Sequence, residues 1–309
     1  MRENPMSVDP FSDFLTLLET RSVLSGALQA GGHWAIRFPA TDRLKFWGVL
    51  RGRCMLLLEG EAEAISVEAG DIFLLRCARA HVLATDPALP PMPLDEILVD
   101  RMGALARHGS GDEFLMIGGK VELALETAGV LLDALPALIH LRAGNHCLDA
   151  AHWLLRRLAY ERDGEAPGAV TASAQLAHLL FIEILRAATA TGQVAKGGWL
   201  PAIADARLAP AIRLMHADPA RAWTLDELAS AAAMSRAAFA ARFKNVAGLA
   251  PMAYLTAWRM RLAQRALRER RVPLATLAQS LGYGSESAFS NAYKRTLGHA
   301  PTMHRSVRR

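Results

Sequence analysis

Between His33 and Leu83 apolar residues come in short runs broken by turns: HWAIRF, FWGVL, CMLLLEG, AISVEAGD, IFLLRC and AHVLATD. Runs of this length with Gly-containing turns at Glu59-Gly60-Glu61 and Ala69-Gly70-Asp71 predict strands at hairpin spacing, and favour a sandwich or small barrel over a parallel sheet. Phe114 to Ile117 and Val121 to Leu125, separated by Gly118-Gly119, are expected to form one more hairpin. The period then lengthens. Leu148, Ala151, Leu155 and Leu158 recur at helical spacing, as do Leu176, Leu180, Ile184 and Ala187, so two amphipathic helices follow the strands. Their apolar stripes need a cover, either the barrel wall or a second copy of the chain, and a homodimer through these helices is expected.

The run from Thr191 to Gly198, TGQVAKGG, is a linker candidate with two adjacent glycines. Beyond it the pattern is almost wholly helical and repeats itself. Ser235-RAA-Phe239-AAR-Phe243-Lys244-NVA-Gly248-LA-Pro251 returns as Ser285-ESA-Phe289-SNA-Tyr293-Lys294-RTL-Gly298-HA-Pro301, all six landmarks at one offset. In each copy Ser caps a helix, aromatics four and eight residues on face inward, and Gly ends the helix before Pro. A shorter helix precedes each: Leu225 to Ala231, opened by a Thr224/Glu227 capping box, and Leu274 to Ser280 after Pro273. The unit is helix, tight turn, helix. Ala233 stands at the first turn where glycine would be at ease, at a cost of about 1 kcal/mol. Met252 to Leu267 reads as a connecting helix, ~24 Å long at ~1.5 Å per residue, against ~34 Å between successive major-groove turns of B-DNA.

Charge sharpens the picture. The net charge of the whole chain is +5. From Asp205 onward, however, 17 basic and 6 acidic residues leave +11, and the remainder carries −6. A basic third of this kind attracts nucleic acid by steering and counterion release. No apolar run approaches the roughly 18 uninterrupted residues of a membrane span, and the start of the chain has no secretory pattern, so a cytoplasmic protein is expected. Cys54, Cys77 and Cys147 form no CxxC and are odd in number, against a disulfide framework or a zinc knuckle.

The segment WTLDELASAAAMSRAAFAARFKNVAGLAPMAYLTAWRMRLA, followed by LATLAQSLGYGSESAFSNAYKRTLGHAP, resembles the DNA-binding domain of the AraC/XylS family of bacterial transcription regulators, over about Asp205 to Arg305. WAIRF, FWGVLRGRCMLLLEG, EAGDIFLLRCARAHVL and IGGKVEL look like the cupin-type sensor of one branch of that family. The resemblance implies an α+β chain: a cupin-like β-barrel with two amphipathic helices over 8–196, for ligand sensing and dimerisation, and an all-α domain of tandem helix-turn-helix units joined by a helix over 205–307. It further implies an activator acting on double-stranded promoter DNA and RNA polymerase, controlled by an unidentified small molecule.

In the first recognition helix the outward positions are Arg236, Ala237, Ala240, Ala241, Arg242 and Lys244; in the second they are Glu286, Ser287, Asn291, Lys294 and Arg295. Arg236, Arg242, Lys244, Lys294 and Arg295 suit phosphates. Glu286 and Asn291 can read cytosine and adenine edges, whereas alanine makes no bidentate hydrogen bond, so the second unit is expected to supply most of the base discrimination. For the sensor, Trp34, Phe46, Trp47 and His81 are candidate ligand-binding residues. A metal-dependent cupin enzyme with an accessory DNA-binding domain is the alternative. It needs about three His and a carboxylate, where this chain has Phe46-Trp47-Gly48 and only His81, so no metal, cofactor or catalytic residue is expected. A DNA-repair methyl acceptor would need a reactive cysteine cluster, and all three cysteines precede the basic third.

Overall fold

The computed structural model describes residues 9–18, 20–41, 43–76, 78–98, 105–123, 125–163, 166–269 and 272–301. They fall into two compact units, neither continuous in sequence: a sheet unit of Thr20–Ala124 and Leu135–Val194, and a helical unit of Met1–Glu19, Leu125–Ala134 and Ala195–Arg309.

The chain opens on α1 (Pro10–Leu18), started by Asp9, whose side chain accepts from the Phe11 N–H at 3.1 Å. The sheet unit follows with β1 (Arg21–Ala30), β2 (Ala35–Phe38), β3 (Leu44–Arg51), β4 (Arg53–Leu58), β5 (Ile65–Glu68), β6 (Ile72–Arg76), β7 (His81–Ala84), β8 (Met92–Pro93), α2 (Leu94–Leu98), β9 (Leu105–His108) and β10 (Phe114–Glu122). After α3 (Leu125–Ala134), which belongs to the helical unit, come β11 (Leu138–Leu141), α4 (Asp149–Asp163) and α5 (Ala169–Ala190). The strands make two sheets, in the orders β11-β6-β3-β10-β1-β9 and β5-β4-β7-β2-β8. Both contribute to one core that includes Leu28, Ile36, Trp47, Leu56, Phe73, Leu83 and Met116. No ladder among the described residues closes them, so the expected barrel is realised as two sheets around a shared core.

The expected hairpin at Gly118-Gly119 is instead the middle of one strand, β10, paired with β1 on one side and β3 on the other. These glycines do not turn the chain. A Cβ at Gly118 would meet the Trp47 ring at 2.0 Å, and one at Gly119 the Phe46 ring at 2.3 Å. Two large rings lie flat on the neighbouring strand because nothing projects beneath them.

Both expected amphipathic helices are present, and a sheet covers them: a Cβ on Gly48 of β3 would collide with the Leu155 methyls at 2.4 Å. Leu180 and Ile184, placed above in a dimer face, are fully buried in this unit. The exposed apolar residues of the helical pair are Trp153, Tyr160, Val170 and Leu179. By length and mean hydropathy α5 could cross a membrane, but its Leu180, Phe181, Ile184 and Leu185 are core residues.

The helical unit adds α6 (Trp199–Ala204), α7 (Ala209–Ala217), α8 (Leu225–Ala231), α9 (Arg236–Ala247), α10 (Pro251–Glu269), α11 (Leu274–Ser280) and α12 (Glu286–Leu297). The linker candidate is pinned at its far end, where the Gly198 N–H donates to the Val246 carbonyl at 3.2 Å and the Ala195 N–H to that of Ala134 at 3.1 Å. Phe14 of α1 is wholly buried here, stacked on Trp199 at 4.2 Å between ring centroids and 5.0 Å from Trp258.

Candidate functional site

The two helix-turn-helix units are α8–α9 and α11–α12, and the sequence repeat reappears in them bond by bond. The Ser235 hydroxyl accepts from the Ala238 N–H at 3.3 Å, and that of Ser285 from Ala288 at 3.1 Å. Gly248 (φ 73°) and Gly298 (φ 82°) end the helices in the left-handed region that favours glycine. The turns match as well. Met234 N–H donates to Ala229 C=O and Ala233 to Ser230, as Tyr283 donates to Ala278 and Gly282 to Gln279. These pairs are offset by 49 residues and the caps by 50, so Gly284 is an extra residue in the second unit. Ala233 does take the strained conformation, with φ 51°.

Phe239, Phe243, Phe289 and Tyr293 are all fully buried. That burial turns a definite face of each second helix outward. On α9, Arg236, Ala237, Ala241 and Lys244 are exposed and Ala240 is half-buried; on α12, Glu286, Ser287, Asn291, Lys294 and Arg295 are exposed. Asn245 is exposed beside Lys244 and escaped the sequence reading, although the repeat pointed to it, since it is the counterpart of Arg295. Arg242 already has a partner within the protein. Its guanidinium makes two hydrogen bonds to Asp205, at 2.6 and 3.2 Å. Burial pushes the Asp205 carboxyl up, but Arg242 and the backbone N–H groups of Leu208 and Arg207 outweigh it and hold the group below its usual range. Arg236 meets Asp226 at 3.4 Å with both side chains about two-thirds exposed, a contact a phosphate displaces at little cost.

The two units are held by a joint around α10. Arg259 donates to the carbonyls of Pro219 (2.5 Å) and Arg221 (2.9 Å), in the segment leading to α8, and its guanidinium lies 5.7 Å from the Tyr283 ring in the second unit's turn. Beside it, a Cβ on Gly282 (φ 78°) would meet the Ala220 carbonyl oxygen at 2.0 Å. Glycine is required there twice over, for conformation and for space.

In the sheet unit, Trp34 packs on Phe114 at 5.0 Å and Trp47 on Phe38 at 5.8 Å, and Phe38 stacks on His81 at 4.8 Å with the rings 7° from parallel. Trp34, Trp47 and Phe38 belong to the shared core. Phe46, next to Trp47 on β3, faces the other side of its sheet, as the two-residue period of a strand requires. Of the four candidate ligand residues His81 lines a cavity of about 190 Å³, with Leu58, Leu75, Ala137, Arg76 and Arg79. Burial, with the charge of Lys45 adding to it, pushes the His81 imidazole down to about 4. Among the described residues no group of three His, Cys, Asp or Glu could hold a metal ion. Cys54 is buried, which pushes its thiol up to about 12, and Cys147 is exposed; Cys77 lies outside the described residues.

Paired helix-turn-helix units on a basic body, joined in one chain to a cupin-like sheet unit, define a DNA-binding transcription regulator. Residues 9–190 match the Cupin family model and residues 228–306 the Helix-turn-helix domain model. The chain is 42% identical over 298 residues to an AraC-like transcription regulator of Streptomyces antibioticus, and 40% identical over 298 residues to one of Streptomyces lividans. Each alignment covers 96% of this chain and 98% of the relative. Among solved structures it is similar to the DNA-binding domain of AdpA, a global transcriptional factor, in complex with a target DNA: 29% identity, 32% of this chain and 90% of that one covered, TM-score 0.31. This chain belongs to the family of AraC-like transcription regulators.

Proposed function

We propose that this regulator is a cytoplasmic activator without catalytic activity, that it binds promoter DNA as a homodimer, and that it acts with RNA polymerase when a small molecule reaches its N-terminal domain. Residues 8–196 sense and dimerise, and residues 205–307 read DNA. The observation that carries this reading is the duplicated recognition helix, with matching caps and with Lys244 and Lys294 at the same place on each exposed face. Arg236, Lys244, Lys294 and Arg295 meet phosphates, while Arg242 stays with Asp205 and holds α9 to the segment before α7.

The test is DNA binding by the full chain as a function of salt. Four phosphate contacts give a slope of log K against log salt of about −3 to −4 per chain, and Lys294→Ala lowers its magnitude by about one. A slope near zero sinks the reading. Sequencing the DNA that the protein retains from its own genome, and transcribing those sites in vitro, decides between activation and repression.

A further inference from the structure

We propose that Arg207, in the corner between α6 and α7, binds a DNA backbone phosphate on the flank of α9 opposite Lys244. The inference deepens the reading of the helical unit as the DNA-binding unit and rests on it. It places a contact ahead of the stretch that matches the Helix-turn-helix domain model, which begins at residue 228, and adds a fifth phosphate to the four assigned above.

One carboxylate fixes this corner against α9. Asp205 Oδ1 accepts from the backbone N–H groups of Arg207 (3.0 Å) and Leu208 (3.1 Å) and from Arg242 Nε (3.2 Å), and Oδ2 accepts from a terminal nitrogen of Arg242 at 2.6 Å. The Asp205 side chain is only 10% exposed, so these charge-assisted bonds hold the corner firmly. At the other end of α6 the Gly198 N–H donates to the Val246 carbonyl, and α6 therefore runs along α9 from Val246 back to Arg242. Arg207 projects from the end of that rail. It is exposed, and its guanidinium makes no hydrogen bond or ion pair among the described residues. Because the carboxylate beside it is engaged by Arg242, its charge stays available to a partner arriving from solvent.

The geometry of α9 says where that partner lies. Residues two apart on a helix are turned by about 200°, so Arg242 and Lys244 look to opposite flanks, with the exposed Ala241 between them. A major groove ~12 Å wide is about filled by a helix with its side chains. When the face around Ala241 enters the groove, each flank comes against the phosphates of one strand. Lys244 meets one strand and Arg207 the other, where its planar guanidinium suits a phosphate.

The arrangement belongs to the first unit alone, since the place of Arg242 is taken in the second by the buried Ala292. It complements the bases each helix can read. With alanine at 237 and 241, α9 grips the backbone on both sides, while α12 carries Asn291 for discrimination.

The experiment uses full-length protein and the duplex that the wild type enriches most from random DNA. Arg207→Ala is expected to lower the magnitude of the slope of log K against log salt by about one, with base preferences unchanged. Arg207→Lys is expected to keep the wild-type slope. Replacing single phosphates by neutral methylphosphonates is expected to reveal sensitive positions on both strands around the block that α9 contacts. At one of them, neutralisation should weaken the wild type roughly tenfold and leave Arg207→Ala unaffected. An unchanged slope in folded Arg207→Ala overturns the proposal. So does sensitivity confined to one strand in the wild type, or a variant sensitive to the same phosphates as the wild type. If the wild type enriches no duplex, or its own slope is near zero, the DNA-binding reading fails and this contact with it; a steep wild-type slope that Arg207→Ala leaves unchanged removes the Arg207 contact alone.

Discussion

The Nδ1 atom of His216 lies 3.0 Å from a carboxylate oxygen of Asp13, a residue 203 positions earlier in the chain. On its other side, Nε2 lies 3.0 Å from the Tyr254 hydroxyl. Burial lowers the His216 pKa, Asp13 opposes that and Arg261 adds to it, and the net result stays below the ordinary value. The neutral ring therefore donates from Nδ1 to Asp13 and accepts from Tyr254 through Nε2. A helix from the start of the chain is thus built into the unit that carries the helix-turn-helix pair.

That placement gives a stability prediction. Phe14 is 0% exposed among Trp199, Trp258 and His216, so Phe14→Ala is expected to cost the helical unit about 3–5 kcal/mol. Hydrogen-exchange protection across α7 to α10 should fall in the full chain, and a fragment of residues 200–309 should melt well below the same unit with α1. Unchanged protection in Phe14→Ala would show that α1 is dispensable.

Base discrimination is expected to come mainly from α12. Asn291 is exposed there and can pair with adenine, whereas its counterpart on α9, 50 residues earlier, is Ala241. Asn291→Ala should lose about 1–3 kcal/mol of preference at one base position, and Ala240→Ser should change little. Selection from random DNA checks this. A lost position in Ala240→Ser with none lost in Asn291→Ala reverses the assignment.

The proposed dimer is expected to form through the exposed face of α4 and α5. Trp153, Tyr160 and Leu179 are 58%, 65% and 50% exposed, and exposed apolar side chains of this size suit an interface. Trp153→Glu combined with Leu179→Glu should give a folded monomer in sedimentation velocity, with weaker binding to paired sites. Leu180→Asp should instead unfold the sheet unit, because a buried carboxylate has no partner there. If the wild type sediments as a monomer at micromolar concentration, this surface has another use.

Acid should loosen the sheet unit through His81. Its imidazole moves from 6.5 down to about 4 on folding, so the unfolded chain takes up a proton in that interval and the folded one does not. The contribution is fully present above 6.5 and is lost as pH falls toward 4, by about 3 kcal/mol in all. Urea midpoints at neutral pH and near pH 4.5 should therefore differ less in His81→Phe than in the wild type, by roughly 2–3 kcal/mol in stability. An equal acid sensitivity of the two proteins counts against a buried neutral His81.

The helical third was legible because its signals are local. Caps, inward aromatics and terminal glycines each act within a few residues, and the repeat stated them twice. What escaped was long-range. That Arg242 pairs with Asp205 depends on a contact across 37 positions, and α1 gave no periodic hint that its partners are Trp199 and Trp258. Gly118-Gly119 misled for a related reason. A glycine pair looks the same whether it bends the chain or clears space for a ring, and only the position of Trp47 and Phe46 across the ladder decides. Phe46 and Trp47 are consecutive on one strand and so face opposite sides of their sheet.

The joint at Gly282, Ala220 and Arg259 bears on the DNA as much as on the protein. With a backbone carbonyl wedged against one turn and a guanidinium tying three segments, the recognition helices cannot rotate independently. B-DNA turns by roughly 34° per base pair, so one extra pair between the two segments swings one of them out of phase with its reader. A protein that reads DNA with both helices, as proposed, measures helical phase as well as sequence, and its natural sites should share one invariant spacing between the two contacted blocks even where the intervening bases vary freely.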